Sequence, residues 1–373
     1  MATGADGAAP SIAPPAGFFI DALATMVFSD RVWWRGVRER DAVCALGLLT
    51  GPLVGAAALA APGPIPSIFD PLSPPAHEIH ALSLLLLGIC AAIFVVVAGL
   101  MAYCVARFRR RPGDDDREPP QVYGSNQIEL AWTVIPLLIV FVLFLVTTRT
   151  LIAVENATPP GDALHVRVIG HQWWWEFRYP DQGVVTANEL HVPVGRATFL
   201  TLESADVVHS FWIPQLNGKT DVIPNRVNRM WFQPSVAGTY LGQCAEYCGT
   251  QHARMMLRVV AHEPAEFDAW VAAQRQPAAA SASAAPGRDR FLSVACVNCH
   301  RIGGTVADGA FGPDLTHLMS RETIAAGAAP NTPDTLRAWI TNPDAIKPGA
   351  LMPAMKLADA DVEQIVAYLT TLK

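Results

Sequence analysis

Two long apolar segments in the first half of the chain have the length and composition of membrane-spanning helices. They cover Ile79–Val105 and Ile128–Val146, and each can cross the roughly 30 Å hydrocarbon core of a bilayer as a helix. Pro136 lies inside the second segment, where a membrane helix tolerates it. The pattern therefore predicts a transmembrane helical hairpin within residues 75–155.

A cluster of arginines sets the orientation that we expect for this hairpin. The cluster directly follows the first segment and consists of Arg107, Arg109, Arg110 and Arg111. Positively charged residues in short loops stay on the cytoplasmic side of a bacterial inner membrane. The short loop is therefore expected in the cytoplasm, and the remainder of the chain after the hairpin is expected in the periplasm.

An earlier apolar run, Ala42–Ala61, has two interpretations. Arginines precede the run, and an Ala-Leu-Ala sequence ends it before a Pro/Gly-rich stretch. A basic region, a short apolar core and an Ala-x-Ala exit are typical of a secretory signal peptide, which favours cleavage of residues 1–61. The basic region is long for a signal peptide, and the alternative is that the run remains as an additional membrane helix.

Beyond the hairpin the pattern changes to short β-prone segments separated by Gly, Pro and Asn. This spacing is typical of an antiparallel β-sandwich or barrel, here expected over residues 160–275. The segments are Leu164–Ile169, Thr198–Glu203, Arg229–Gln233 and Leu257–Ala261.

An Ala/Ser/Pro/Gln-rich stretch separates this β-domain from the end of the chain. The composition of Gln274–Pro286 predicts a flexible linker, which we place at residues 276–287. Residues 288–373 are then a last small module. Helices are expected at its two ends, Asp289–Cys296 and Asp359–Leu372, around an irregular middle.

Composition and charge narrow the class of protein. Apolar residues make up 51% of the chain and charged residues only 16%, as expected for a membrane-anchored protein. The net charge of −6 gives no electrostatic support to a nucleic-acid partner. Four of the seven cysteines form two close pairs in polar surroundings, Cys244/Cys248 and Cys296/Cys299. Such pairs are typical of metal or cofactor sites.

The first cysteine pair belongs to a dense set of soft metal ligands. Cys244, Cys248, His252 and Met255 lie within twelve residues, and His209 directly follows a β-prone segment. Thiolate and thioether ligands select copper, and imidazole suits it too. Two bridging thiolates could hold two coppers close enough to share one electron.

In this hypothesis two further groups complete each copper. His209 and Met255 would complete one copper, and His252 and the backbone carbonyl of Glu246 would complete the other. The alternatives for the cysteine pair are a disulfide or half of a zinc site. Neither alternative accounts for the histidine and methionine that follow the pair.

These motifs resemble the binuclear copper (CuA) motif of cytochrome c oxidase subunit II. The resemblance rests on His-Ser-Phe-Trp-Ile-Pro from residue 209 and on Cys-x-Glu-x-Cys-Gly-x-x-His-x-x-Met from residue 244. It runs from about Pro75 to Trp270, and Gly170–Phe177 and Lys219–Arg226 look like two more signatures of the family. Quinol-oxidising relatives lack the copper ligands, so the chain resembles the branch that oxidises cytochrome c.

The resemblance also implies roles for single residues. Trp173 matches the exposed tryptophan through which an electron moves toward copper. Glu246 matches the residue whose side chain reaches a magnesium or manganese ion at the interface with subunit I. A glutamate of the family is associated with a cytoplasmic proton path, but the expected topology puts Glu78 on the other side. Glu78 is therefore interpreted as a solvated carboxylate at the membrane interface.

The second cysteine pair lies in a Cys-x-x-Cys-His sequence, the signature of c-type haem attachment. Cys296 and Cys299 would form thioethers to the haem, and His300 would become an axial iron ligand. The alternative, a redox-active dithiol, does not explain the adjacent histidine or the module of roughly 85 residues that the signature opens.

The second axial ligand is expected to be a methionine, because methionine raises the haem potential and so suits electron donation to copper. Met352 precedes a proline, resembles the Met-Pro of class I cytochromes c and is the expected ligand. Met355 is the alternative, and Met319 is assigned to packing. Gly312–Leu315 resembles the loop whose proline carbonyl accepts a hydrogen bond from the haem histidine.

The resemblance implies a multi-domain chain: a transmembrane α-helical hairpin, an all-β cupredoxin-like sandwich and a small all-α cytochrome c domain. As subunit II of a caa-type oxidase, it would pass electrons from soluble cytochrome c through the fused haem and CuA to haem a. Subunit I would hold haem a and couple oxygen reduction to proton pumping, and subunit III is a further expected partner. One alternative is the electron-transfer subunit of another terminal reductase, such as a CuA-containing nitric oxide reductase. A copper-delivery protein is a second alternative, against which the haem signature counts.

Overall fold

The structure is a computed structural model that describes residues 67–110, 112–113, 118, 121–155, 158–278 and 282–373. Within these ranges the chain forms a two-helix hairpin, a β-sandwich and a small, mainly helical module, in that order. This order confirms the fold class expected from the sequence. The predicted N-terminal extension and signal peptide, residues 1–61, lie outside the described residues.

The hairpin consists of two long helices, α1 (Pro74–Phe108) and α2 (Asn126–Glu155). Helix α1 begins after Ser73 with proline in its first turn, where a missing amide hydrogen breaks no helical bond. Both helices extend beyond the predicted apolar segments, and most of their large apolar side chains are exposed. Their length and hydropathy meet the requirement for crossing a membrane.

The β-domain is a sandwich of two five-stranded sheets. Its strands are β1 (Leu164–His171), β2 (Trp174–Tyr179), β3 (Val184–Ala187), β4 (Glu189–Pro193), β5 (Thr198–Ser204), β6 (His209–Trp212), β7 (Thr220–Val222), β8 (Asn228–Phe232), β9 (Gly238–Cys244) and β10 (Met256–His262). One sheet has the order β3-β2-β1-β5-β8 and the other β4-β10-β9-β6-β7. The four predicted β-segments fall on β1, β5, β8 and β10.

The sandwich is not wholly antiparallel, which corrects one expectation. Strand β1 pairs with β5 in parallel, and β4 pairs with β10 in parallel. The strands of each parallel pair are separated along the chain, so the connection has room to cross over before the second strand begins. Between the sheets, Trp175 and Phe177 pack edge-on against Phe211 with ring centroids 5.2 and 6.2 Å apart.

Both membrane helices are hydrogen-bonded to the β-domain. At the start of α1, the Ser73 hydroxyl accepts the backbone N–H of Gln233 at 3.0 Å. Near the end of α2, the indole N–H of Trp231 donates to the carbonyl of Val154 at 2.8 Å. The sandwich is therefore attached to both ends of the hairpin.

A helix at the end of the β-domain, α3 (Pro264–Gln274), leads to the C-terminal module, residues 282–373. The module contains α4 (Ala285–Ser293), α5 (Cys296–Cys299), β11 (Thr323–Ile324), β12 (Ala329–Pro330), α6 (Pro333–Thr341), α7 (Pro343–Ile346) and α8 (Asp359–Leu369). Helix α4 begins inside the segment predicted as linker, because a proline fits the first turn of a helix. The module has its own buried core, in which Phe291 packs against Tyr368.

Candidate metal and haem site

The copper-ligand candidates meet where β6, β9 and the loop after β9 come together. Ligand atoms of His209, Cys244 and Cys248 all lie within 4.8 Å of one another, and the three residues are buried. The sulfurs of Cys244 and Cys248 are 3.8 Å apart, far beyond the roughly 2.05 Å of a disulfide bond. The structure therefore does not support the disulfide alternative.

The remaining predicted ligands surround these two sulfurs. The Cys248 sulfur lies 3.7 Å from Nδ1 of His252 and 3.8 Å from the Met255 sulfur. The Cys244 sulfur lies 3.1 Å from the backbone carbonyl oxygen of Glu246. Two thiols, imidazole nitrogens, a thioether and a carbonyl oxygen thus face one small region. This donor set fits soft copper, and its composition is not that of a structural zinc site.

The protonation of the cysteine pair is asymmetric in the metal-free protein. The contact between the Cys248 and Cys244 sulfurs, 3.8 Å apart, holds the pKa of Cys244 well below its ordinary value. The same contact, together with burial, raises the pKa of Cys248. Because both sulfurs are candidate ligands, metal binding must displace any proton that the pair holds.

Asp206 orients His209, and we did not identify this residue from the sequence. Its carboxylate lies 2.8 Å from Nε2 of His209, while Nδ1 of the same ring faces the Cys244 sulfur at 4.0 Å. Burial opposes the charged form of His209, but Asp206 and Cys244 raise its pKa above the ordinary value. A carboxylate three residues before a candidate ligand was the available signal, since metal-bound histidines usually donate their second N–H to such a group.

Trp173 connects this cluster to the C-terminal module. Its indole N–H donates to the backbone carbonyl of Cys248 at 2.9 Å, and the Gln172 side chain donates to the same oxygen at 2.7 Å. The tryptophan is half-buried, which differs from the exposed residue expected. Its backbone carbonyl accepts a hydrogen bond from the ammonium of Lys347 in the C-terminal module at 2.8 Å, a contact that no local sequence pattern indicates.

The side chain of Glu246 points to a different neighbour from its carbonyl. Its carboxylate lies 3.5 Å from the ammonium of Lys219, which is also 4.0 Å from the carboxylate of Asp221. Both carboxylates are about half exposed at 45%. The carbonyl of Glu246 therefore faces the sulfurs while its side chain joins a surface ion-pair group.

The predicted haem residues line one cavity in the C-terminal module. Cys296, Cys299, His300, Met352 and Met355 all lie on its wall. Both candidate methionines are present, so the cavity does not separate them. Met319, by contrast, packs against the core of the module, as expected.

The geometry around His300 suits an axial haem ligand. Nδ1 of the ring lies 2.8 Å from the carbonyl oxygen of Pro313, the contact expected from the sequence, which leaves Nε2 for iron. Burial lowers the pKa of His300, and this favours the neutral ring that metals bind. A Cβ atom at Gly312 would lie 2.6 Å from the ring, so only glycine fits beneath it. These features fit a covalently attached haem.

One wall of the haem cavity comes from the β-domain. Gln172, Trp173, Trp174 and Asn188 contribute to it. The cavity and the copper-ligand cluster therefore lie on either side of Trp173, whose N–H contacts the backbone of Cys248.

Comparisons with known families agree with both sites. The family described as cytochrome c oxidase subunit II, transmembrane domain, matches residues 67–149. The periplasmic domain of the same subunit matches residues 182–262, and the cytochrome c family matches residues 284–373. The three matches follow the order of the hairpin, the β-domain and the C-terminal module.

Several curated proteins are similar over most of the chain. "Cytochrome c oxidase subunit 2" of Alkalihalophilus pseudofirmus is 37% identical over 313 residues, which cover 82% of this chain and 90% of that protein. The protein of the same name from Bacillus sp. strain PS3 is 33% identical, covering 71% and 80%. "Quinol oxidase subunit 2" of Bacillus spizizenii is 34% identical, covering 55% and 65%. Because the first of these is matched over nine-tenths of its length, the chain belongs to the cytochrome c oxidase subunit II family and carries a fused cytochrome c domain.

Proposed function

We propose that the chain delivers electrons from a soluble cytochrome c to haem a of subunit I, where oxygen is reduced to water and protons are pumped. The observation that carries this proposal is the placement of Trp173 between the haem cavity and the copper-ligand cluster. Membership of the family implies CuA copper, a haem and subunit I as a partner.

Each site residue has a defined part in this proposal. Cys244, Cys248, His209, His252, Met255 and the carbonyl of Glu246 would hold the copper pair. Cys296 and Cys299 would attach the haem, with His300 and Met352 as its axial ligands. When bound, these groups supply one-electron carriers. The β-sandwich keeps the copper ligands in nearly fixed positions in both redox states, which favours rapid transfer.

Further partners and the location follow from the same proposal. The carboxylate of Glu246 is assigned to a magnesium ion shared with subunit I, and subunit III completes the complex. The chain is a membrane protein. We place it in the bacterial inner membrane, with the copper and haem domains in the periplasm, because Arg107 lies in the last turn of α1 and Arg109 and Arg110 follow the helix.

The function is tested by changing the proposed haem ligand. Met352→His is expected to lower the haem potential, because histidine replaces the thioether. Each lowering by about 59 mV changes the equilibrium of a one-electron step tenfold. A lower potential makes the haem a weaker electron acceptor. Its reduction by reduced cytochrome c should therefore become less favourable. Stopped-flow absorbance of the purified complex and its oxygen uptake measure this effect, and the copper spectrum should stay intact.

Two outcomes of this experiment are informative. An unchanged haem spectrum in Met352→His would mean that Met355 or another group is the axial ligand, and the matching Met355→His variant would test Met355. A wild-type complex that turns over nitric oxide and not oxygen would contradict the oxidase assignment and favour a terminal reductase of the other class.

The proposed topology is tested separately. A reporter fused at Asp115, between the two helices in sequence, should be active only as a cytoplasmic reporter. A second reporter fused after Lys373 should be active only as a periplasmic one. Replacing the arginines of the loop should scramble insertion and abolish haem attachment, because attachment occurs outside the cytoplasm. Two fusions on the same side would overturn the proposed orientation.

A further inference from the structure

The contact between the β-domain and the C-terminal module contains a buried carboxylate. Glu189, at the start of β4, is 1% exposed. Its carboxylate accepts the backbone N–H of Glu322 at 2.9 Å and that of Thr323 at 3.0 Å. Both donors belong to the C-terminal module. A buried carboxylate is costly unless such donors satisfy it, so the bonds make Glu189 dependent on the contact between the two domains.

A buried ammonium group lies in the same contact but comes from the opposite domain. Lys347, just after α7, is 4% exposed. Its Nζ atom donates to the carbonyl of Trp173 at 2.8 Å and to that of Ala325 at 3.1 Å. The first carbonyl belongs to the β-domain and the second to the C-terminal module. Burial lowers the pKa of Lys347 to about 7.

The residues that flank Lys347 are bonded to the copper-ligand loop, residues 244–255. The side chain of Arg254 donates to the carbonyl of Ile346 at 2.8 Å, and the side chain of Gln251 donates to that of Pro348. Gln251 and Arg254 are the immediate neighbours of the candidate ligands His252 and Met255. Three successive residues of the C-terminal module are thus bonded to the β-domain beside the copper ligands.

We propose that Lys347 is a positioning residue for electron transfer: it fixes the haem cavity against Trp173, so that the C-terminal module acts as a docked donor. The proposal rests on the proposed function of the two sites. Trp173 is held from both directions, by Lys347 at its carbonyl and by the carbonyl of Cys248 at its indole N–H. Loss of the ammonium would release the backbone carbonyl of Trp173 from the C-terminal module.

The proposal differs from transfer by a tethered module that meets the copper site through diffusion. A short flexible linker alone gives an effective concentration on the order of millimolar, and the rate then follows domain encounters and solvent viscosity. A docked module transfers electrons at a rate independent of viscosity. Lys347→Met removes all three donors from a side chain of similar length, so it is expected to convert docked transfer into tethered transfer that depends on diffusion.

The experiment uses the complete oxidase complex with wild-type chain, Lys347→Met, Lys347→Arg and the control Lys373→Met, which changes an exposed lysine. A light-activated reductant reduces the haem, and the rate of the subsequent electron transfer to copper is measured. Hydrogen exchange of the amides of Glu322 and Thr323 reports docking directly. In Lys347→Met we expect transfer about tenfold slower and exchange about tenfold faster, the factor for one lost charge-assisted bond. Transfer in this variant should also become sensitive to viscosity.

Three further results are expected if Lys347 is a positioning residue. The copper EPR signal, the haem spectrum and the rate of haem reduction by external cytochrome c should equal the wild-type values in Lys347→Met. Lys347→Arg should restore part of the transfer rate, because its guanidinium retains donors. If the Lys347→Met complex assembles poorly, Glu189→Gln tests the same contact between the domains. Glu189 lies on β4, which carries none of the copper-ligand candidates, and slower electron transfer is again expected.

The two levels of the proposal fail differently. Wild-type transfer rates and exchange in both Lys347→Met and Glu189→Gln would overturn the positioning role. A slow rate accompanied by an altered copper spectrum would also overturn it, because the lysine would then shape the metal site itself. No transfer from haem to copper in the wild-type complex would instead overturn the proposed function.

Discussion

Cys248→Ser is expected to abolish both coppers together. The Cys248 sulfur faces the Cys244 sulfur at 3.8 Å, Nδ1 of His252 at 3.7 Å and the Met255 sulfur at 3.8 Å. A thiolate in this position could bind both coppers. A serine hydroxyl is a poor ligand for soft copper. Copper content should fall from about two per chain to below one, and the EPR signal of an electron shared between two nuclei should disappear.

The control for this variant is Cys104→Ser, the same chemical change at an exposed cysteine of α1. This variant should retain the full copper content and the shared-electron signal. One intact, isolated copper in Cys248→Ser would contradict the bridging arrangement. Retention of the haem spectrum in both variants would show that the loss is confined to the copper-ligand cluster.

Gly287→Ala should destabilise the C-terminal module by about 3 kcal/mol, the upper part of the range for overpacking. Helices α4 and α8 cross at this glycine, where a Cβ atom would lie 1.9 Å from the carbonyl oxygen of Gln364 and 2.9 Å from Cβ of Tyr368. The first obstacle is backbone, so no side-chain rotation relieves it. For a domain of this size the thermal midpoint, followed by haem absorbance, should fall by roughly 12–24 °C.

Gly161→Ala is the matched control, because a Cβ atom there would meet nothing within 4 Å. It should leave the thermal midpoint of the C-terminal module unchanged. The copper EPR signal should persist in Gly287→Ala, since the copper ligands all belong to the β-domain. A thermal midpoint equal to that of the wild type in Gly287→Ala would show that the two helices do not cross as described.

Features encoded by local patterns could be predicted from the sequence. The apolar segments predicted α1 and α2. The spacing of Cys244, Cys248, His252 and Met255 predicted that these residues form one cluster. His209 is distant in sequence, and it joined the predicted ligand set as a second imidazole that directly follows a β-prone segment. Met352 and Met355 remained unresolved because both reach the same cavity.

The contacts between the β-domain and the C-terminal module correspond to no local pattern in the sequence, so they could not be predicted from it. Glu189 and Lys347 look like ordinary charged residues in the sequence, but both are buried and bonded across the contact between the two domains. The parallel pairing of β1 with β5 was also missed, because short β-prone segments indicate where strands lie but not which neighbours they choose.

The bonds from Ser73 and Trp231 link the β-domain to both ends of the hairpin. A membrane helix adjusts its tilt when the hydrocarbon layer around it becomes thinner or thicker. Because both helices are hydrogen-bonded to the sandwich, we expect such a tilt to turn the sandwich with them. The orientation of the copper-ligand loop relative to the bilayer normal is then expected to follow lipid chain length.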